Sequence, residues 1–429
     1  MHLYKPAIQG TYKPTFFSLV INRENVLDAD NRLKSEFGNI FFHEYIHFLQ
    51  DILTSFGLRN IATLAREYSI INQEIIELPT SDFSIPYVSK NESLELEKEL
   101  FRLIWGTQAL DNDDVDFEVI DCHLEPYILN EKLANHNLVV VDILYRSSLE
   151  KDSFYLGAIH FLENMAYILD RNFSYEFDAV PYPYEVIEKI IKSRFIDGEH
   201  TASNYIMIIE NSLESHDPAN YFYNYCEFCI NSNQTFSHST IQYFRNTYRQ
   251  TWDGKVYTYD KFYYQNAVLA RHAFKVMFNH HDSLKTMNEW AEIVIANSIK
   301  LKRHDFSFVD LLVTNGNHKK VVDYTGRLIK KLGTPIMSDK NNQLFYATPE
   351  SKIPAQDMLY LLGLEAIINV INGDTNCCLL PYCRHGQGGS DITNDLCYTS
   401  PWQRSKTPPL CIFGKLWIIW GFVRKDVQA

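Results

Sequence analysis

Between positions 38 and 56, apolar side chains at Ile40, Phe41, Tyr45, Phe48, Leu49 and Leu53 recur three and four places apart, the spacing of one helix face. Gly57 reads as the C-cap of that helix. The same spacing predicts a second helix over 60–77 and a third over 93–107, with Asn91 or Ser93 as its cap. Ahead of them, the β-branched and aromatic stretch 12–22 predicts one or two early strands. From 114 to 148 the pattern turns to strands, divided by the polar turn Asn135-His136-Asn137, and 157–170 is helical again. Helix then runs almost unbroken over 184–372, interrupted at Asp217-Pro218, Asp253-Gly254 and Asn315-Gly316. From Asp374 onward Cys, Pro, Gly and Trp replace any period.

Composition narrows the classes that this pattern allows. Of 429 residues, 46 % are hydrophobic and 22 % charged, the profile of a folded globular protein. A net charge of -13, with no Lys/Arg-rich run, argues against nucleic acid as a partner. No secretory leader is visible at the N-terminus, and no window holds about 18 uninterrupted apolar residues, so a membrane span is not expected. The apolar run 416–423 is too short to cross a bilayer and reads as a buried strand or helix. Of eight cysteines, five (Cys377, Cys378, Cys383, Cys397 and Cys411) crowd the tail. With no leader the expected compartment is the reducing cytoplasm, where clustered thiols suggest metal before disulfides.

The candidate chemistry sits in the first helix, at His43-Glu44-Tyr45-Ile46-His47. Residues four apart project from one helix face, so both imidazoles can reach one tetrahedral Zn²⁺ while the helix stays intact. Glu44 flanks that position and can take a proton from a metal-bound water. At these residues the chain resembles the zincin metallopeptidases. The stretch HEYIHFLQD is similar to the gluzincin version, in which an Asp four residues after the second His hydrogen-bonds around a ligand His; here that position is Asp51. The resemblance covers about a dozen residues. It implies a zincin-like catalytic core; together with the pattern of elements, the expected architecture is α+β and predominantly α-helical, with that core over 1–175, a helical domain over 176–373 and a Cys-rich segment over 374–429.

The resemblance also implies a glutamate as third ligand, on a later helix, and two compete. Glu67 has the gluzincin spacing from His47, but Ile71 stands where those enzymes carry an Asp. Glu163 is a lone carboxylate in the apolar run GAIHFLENMAYILD, where a dication is a natural partner. Ala166 and Gly157 would lighten the face that approaches the first helix, and Glu163 is the preferred ligand. Nearby, His160 reads as a fourth ligand, a transition-state donor or a satisfied core histidine, and Tyr155, Tyr167 and Asp170 as donors or supporting groups or as ordinary packing and surface residues. In the tail, Cys378, Cys383, Cys397 and Cys411, with His385 as a substitute, offer a structural zinc site, although packed, unreactive thiols account for them as well. Cys226 and Cys229 read as buried packing.

The function these expectations describe is a zinc metallopeptidase: Zn²⁺ on His43, His47 and Glu163, Glu44 as general base, and a peptide or protein as substrate. Two other classes stay open. One is a non-catalytic helical binding or scaffold protein with a structural metal site. The other is a di-iron carboxylate protein, because Glu44-x-x-His47 is also the ligand pair of such bundles.

Overall fold

The computed structural model describes residues 10–13, 17–28, 33–79, 83–110, 116–128, 136–173, 181–252, 254–278, 282–341, 343–349, 355–385, 393–425 and 427–428. Strands β1 (Gly10–Lys13) and β2 (Ser18–Ile21) pair antiparallel and lead into helix α1 (Gly38–Leu53). Phe42, Tyr45, Ile46, Phe48, Leu49, Ile52 and Leu53 are all buried, so α1 is enclosed round most of its circumference. A polar stripe, also largely buried, runs along it: His43, His47 and Asp51 at four-residue spacing, with Glu44 beside them.

At Thr54 the backbone turns extended, and its Oγ1 accepts from the Gly57 N–H (3.0 Å) to cap α2 (Ser55–Glu77). Gly57 therefore lies in the first turn of the second helix and does not close the first. Proximity requires it there, since a Cβ would stand 2.4 Å from both Asp51 Cα and the Gln50 carbonyl oxygen. The missing side chain lets α2 start directly against the end of α1.

The short strand β3 (Phe83–Ser84) precedes α3 (Glu92–Trp105), whose cap is Asn91, accepting from the Leu94 N–H. Strands β4 (Phe117–Tyr127), β5 (His136–Tyr145) and β6 (Lys151–Leu156) form an antiparallel sheet in that order. His136 and Asn137, expected in a turn, pair instead with Tyr127 and Pro126; Asn135 lies outside the described residues. After β6, Gly157 opens α4 (Ala158–Phe173). A Cβ on Gly157 would meet the Gly106 nitrogen at 2.4 Å, so this glycine serves the crossing with the end of α3 and not the face toward α1.

Helices α5 (Pro181–Tyr184), α6 (Val186–Arg194), α7 (Ala202–Leu213), α8 (Pro218–Asn231) and α9 (His238–Thr247) follow. A hairpin, β7 (Gln250–Trp252) with β8 (Lys255–Tyr257), then leads to α10 (Tyr259–Phe278), α11 (Lys285–Arg303) and α12 (His318–Leu332). The three expected breaks are real for distinct reasons. Asp217 caps α8, Gly254 turns the hairpin at φ +68° (Asp253 is outside the described residues), and Asn315 and Gly316 both take positive φ before α12.

Strand β9 (Ile336–Asp339), unforeseen in the sequence, then returns to lie parallel to β2, with β10 (Leu344–Phe345) beyond it, completing a sheet in the order β1-β2-β9-β10. Helix α13 (Ala355–Ile371) precedes a tail with short helices at Leu380–His385, Leu396–Thr399 and Ile412–Ile419. The run 416–423 is thus the end of a buried helix and the turn after it. Strand β11 (Val427–Gln428) pairs parallel with β3.

Helix makes up 61 % of the described residues, so the protein is α+β with helix predominant. One hydrophobic cluster extends from Phe17 to Phe422, and α1 crosses α4 within it. No helix among the described residues is long and apolar enough to cross a membrane.

Candidate metal centre

Helices α1 and α4 bring three ligating groups to one point, although 115 residues intervene between His47 and Glu163. The Nε2 atoms of His43 and His47 each lie 3.5 Å from Glu163 Oε2. Their rings stand 5.0 Å apart at 82°, and all three ligand atoms fall within 4.8 Å of one another. Such a set can hold a metal ion. Of the two glutamates weighed from sequence, Glu163 is the one brought here; Glu67, on α2, pairs with Lys98 at 3.2 Å.

Neighbours fix how the ligands point. Gln50 Nε2 donates to the Leu162 carbonyl (3.0 Å), which turns its Oε1 toward His47 Nδ1 at 2.8 Å. That oxygen can only accept, so Nδ1 carries a proton and Nε2 is the atom turned toward Glu163, the one a metal would use. One fully buried amide thereby orients a ligand and ties α1 to the residue beside Glu163 on α4. The place expected for Asp51 is taken by Gln50. Asp51 accepts from the Tyr12 hydroxyl (2.9 Å) and is held by Asn60, and burial pushes its carboxyl up to about 7. On the other side Asp170, two turns beyond Glu163 and 1 % exposed, is raised to about 6 by burial and drawn down by the His43 imidazole.

The charges balance within the group. Burial would raise the Glu163 carboxyl, but the two imidazoles outweigh it and hold it well below the usual range. Burial would likewise lower His47, and Glu163 overrides that, raising His47 to about 9. Glu44 is buried beside the ligands and accepts from the Tyr12 backbone N–H. Burial raises its carboxyl, and the two histidines only partly offset the shift. A raised carboxyl is suited to taking up and returning a proton near neutral pH.

The group opens on a cavity of about 550 Å³, also lined by Tyr12, Trp105, Gln108 and Tyr184. Sequence reasoning passed over Tyr184. Its ring lies 6.2 Å from that of His43, and burial together with the charges of Glu163 and Glu44 keeps its hydroxyl protonated. Tyr167 packs on Tyr184 at 5.8 Å, whereas Tyr155 is exposed on β6 and does not line the cavity. His160 is not a ligand: its Nδ1 accepts from the Gly157 N–H (3.1 Å), and its Nε2 bonds the Tyr182 hydroxyl (3.0 Å). Burial lowers it to about 3, so it is a neutral core histidine.

One further trio, Asp121, His123 and Asp142 on the β4–β5 face, brings ligand atoms within 4.8 Å, but in the open. Among the described residues, neither converging group contains a cysteine. In the tail, Cys377, Cys383, Cys397 and Cys411 line one small enclosed cavity, so Cys377 stands where the sequence suggested Cys378. These thiols pack with Phe413 and are not gathered as a zinc site; the side chain of His385 lies outside the described residues. Cys226 and Cys229 are buried free thiols on α8. No family model matches the sequence, and neither a curated protein nor a solved structure matches the chain.

Proposed function

We propose that this protein is a zinc-dependent peptidase with a zincin-like core, in which His43, His47 and Glu163 hold the ion and Glu44 is the general base. The observation that carries the reading is the convergence of the two Nε2 atoms on one carboxylate oxygen from a distant helix, at 3.5 Å each. The donor set suits Zn²⁺, with two neutral imidazoles, one carboxylate, and one histidine locked by Gln50 in the ligating tautomer. When bound, Zn²⁺ supplies Lewis acidity, lowering the pKa of a water to about 7 and polarising a carbonyl.

The chain's own groups divide the rest of the work. Glu44 takes the proton from the attacking water and passes it to the departing amine, which a carboxyl already raised by burial does readily. Tyr184, protonated and facing the carboxylates, donates to the oxygen on which negative charge develops. A peptide fits because β1 is the end strand of its sheet among the described residues, and Tyr12 on it lines the cavity. An extended chain could add along β1 by main-chain hydrogen bonds at positions other than Tyr12, whose N–H the Glu44 carboxylate already holds.

The test is the zinc-loaded protein incubated with a denatured proteome, with new N-termini counted by mass spectrometry. We expect cleavage that stops on chelation and falls about 10²–10⁴-fold in Glu44→Gln at unchanged zinc content. Undiminished cleavage by Glu44→Gln, or none by the zinc-loaded wild type, would sink the proposal.

A further inference from the structure

A second cavity of about 550 Å³ lies between α2 and α10 and shares no lining residue with the metal centre. Its walls are largely apolar: Ile70 and Ile76 from α2, and Leu269, Ala273 and Val276 from α10. Ile76, Leu269 and Val276 leave 44 %, 39 % and 41 % of their surface exposed, which makes an open hydrophobic trough.

At one end lies Arg59, only 8 % exposed, with its guanidinium 4.0 Å over the Trp252 ring. Its Nη1 is buried and makes no hydrogen bond. The two carboxylates that act on it through space are Glu97 and Asp217. Both are engaged elsewhere: Glu97 accepts from Arg66 at 2.6 Å, while Asp217 caps α8 and sits 3.2 Å from His136. Burial draws the guanidinium down only to about 10, so it stays charged at neutral pH. A buried cation without an anion in contact is costly, and the cost falls when a ligand supplies one.

We propose that this cavity binds a small amphiphilic carboxylate, its head on Arg59 and its apolar body along the α2–α10 trough. Arg59 lines the cavity with no carboxylate in contact, and a single guanidinium charge matches a single carboxylate. A phosphate would bring a second charge, and the neighbouring Arg66 is already neutralised by Glu97. The volume lies within the range of small-molecule sites, roughly 300–1,000 Å³.

Decanoate is the probe, 1-decanol the uncharged control of equal length, and Trp252, stacked on Arg59, the fluorescent reporter. Titration of the full-length protein should give saturable 1:1 binding of decanoate, confirmed by calorimetry, at least tenfold tighter than decanol. Arg59→Met should weaken decanoate binding roughly 10- to 100-fold, the size expected for a charge-assisted hydrogen bond. Val276→Glu alters an exposed position, keeps Arg59, and should also weaken it by putting a like charge in the trough. Non-saturable uptake, equal affinity for acid and alcohol, or wild-type affinity in a folded Arg59→Met would each overturn the proposal. If Arg59→Met fails to fold, wild-type affinity in Val276→Glu overturns it just as well.

Discussion

Two trios of ligating side chains occur among the described residues, alike in the closeness of their ligand atoms and different in their setting. His43, His47 and Glu163 come from crossing helices, with side chains 11–20 % exposed; Asp121, His123 and Asp142 stand on one sheet face, with side chains 37–59 % exposed. In the helical trio Gln50 orients one ring, the His43 imidazole feels the buried Asp170 through space, and Glu163 meets both rings where the two helices cross. On the sheet, His123 Nδ1 lies 3.7 Å from each of two aspartates, and solvent screens all three. The contrast teaches that closeness of ligand atoms alone does not rank two groups that could each hold an ion; burial and orientation separate them. Burial makes a carboxylate without a counter-charge expensive, and at this site either the His47 imidazolium or a bound dication can supply one.

The sharpest break in the comparison is Glu163→Ala. It leaves two histidines without their carboxylate and should lower zinc affinity by more than about 100-fold in competition with a chelator, because losing even an orienting partner costs about 10–100-fold. The matching Asp142→Asn on the sheet should leave zinc content unchanged. Retention of a full equivalent of zinc by Glu163→Ala would erase the distinction. Next in size is Gln50→Leu, which keeps every ligand but frees the His47 ring; zinc affinity should fall about 10–100-fold. A purely packing role for Gln50 would instead lower thermal stability with zinc affinity intact.

A gentler test uses protons. Without an ion, His47 holds its proton up to about pH 9 because Glu163 stabilises the imidazolium against the opposing effect of burial. Zinc must displace that proton, so affinity should rise about tenfold per pH unit from pH 6 toward 9 and then level off. The sign follows from competition: lower pH means more protonated His47 and weaker binding. An exposed site on the sheet lacks this buried coupling, and a flat zinc affinity over the same range would show that His47 is not displaced.

Much of the helical trio was legible because it violates its surroundings. His43, Glu44 and His47 form a polar stripe on an otherwise apolar helix, and Glu163 is a lone carboxylate in an apolar run. What stayed hidden had no such contrast. Gln50 looks like any helical glutamine until α4 supplies the Leu162 carbonyl, and Tyr184 is one of 27 tyrosines, placed by a short turn of helix with no period. Strand β9 escaped because all four of its residues are buried, which removes the alternation that marks a strand, and its partner β2 lies more than 300 positions away. Gly57 misled for a related reason: a glycine after a helix suggests a cap, whereas here it answers to the backbone of Gln50 and Asp51. The choice between Cys377 and Cys378 turns on which neighbour faces inward, and only the packed tail decides that.

The smallest effect is expected from His123→Ala, and it bears on the other half of the comparison. His123 lies within 3.7 Å of Asp121, Asp142 and Glu125, yet its side chain is 37 % exposed and its partners more so. Arg194 stands 3.8 Å from Asp121 and also bonds the Cys122 carbonyl, so local charge is already partly balanced without an ion. Removing the imidazole should therefore change unfolding free energy by no more than about 0.5 kcal/mol, as at most surface positions. Zinc should stay at one equivalent per chain by elemental analysis. A loss of one of two bound equivalents would show that solvent exposure does not disqualify the sheet cluster, and that burial was the wrong criterion for separating the two trios.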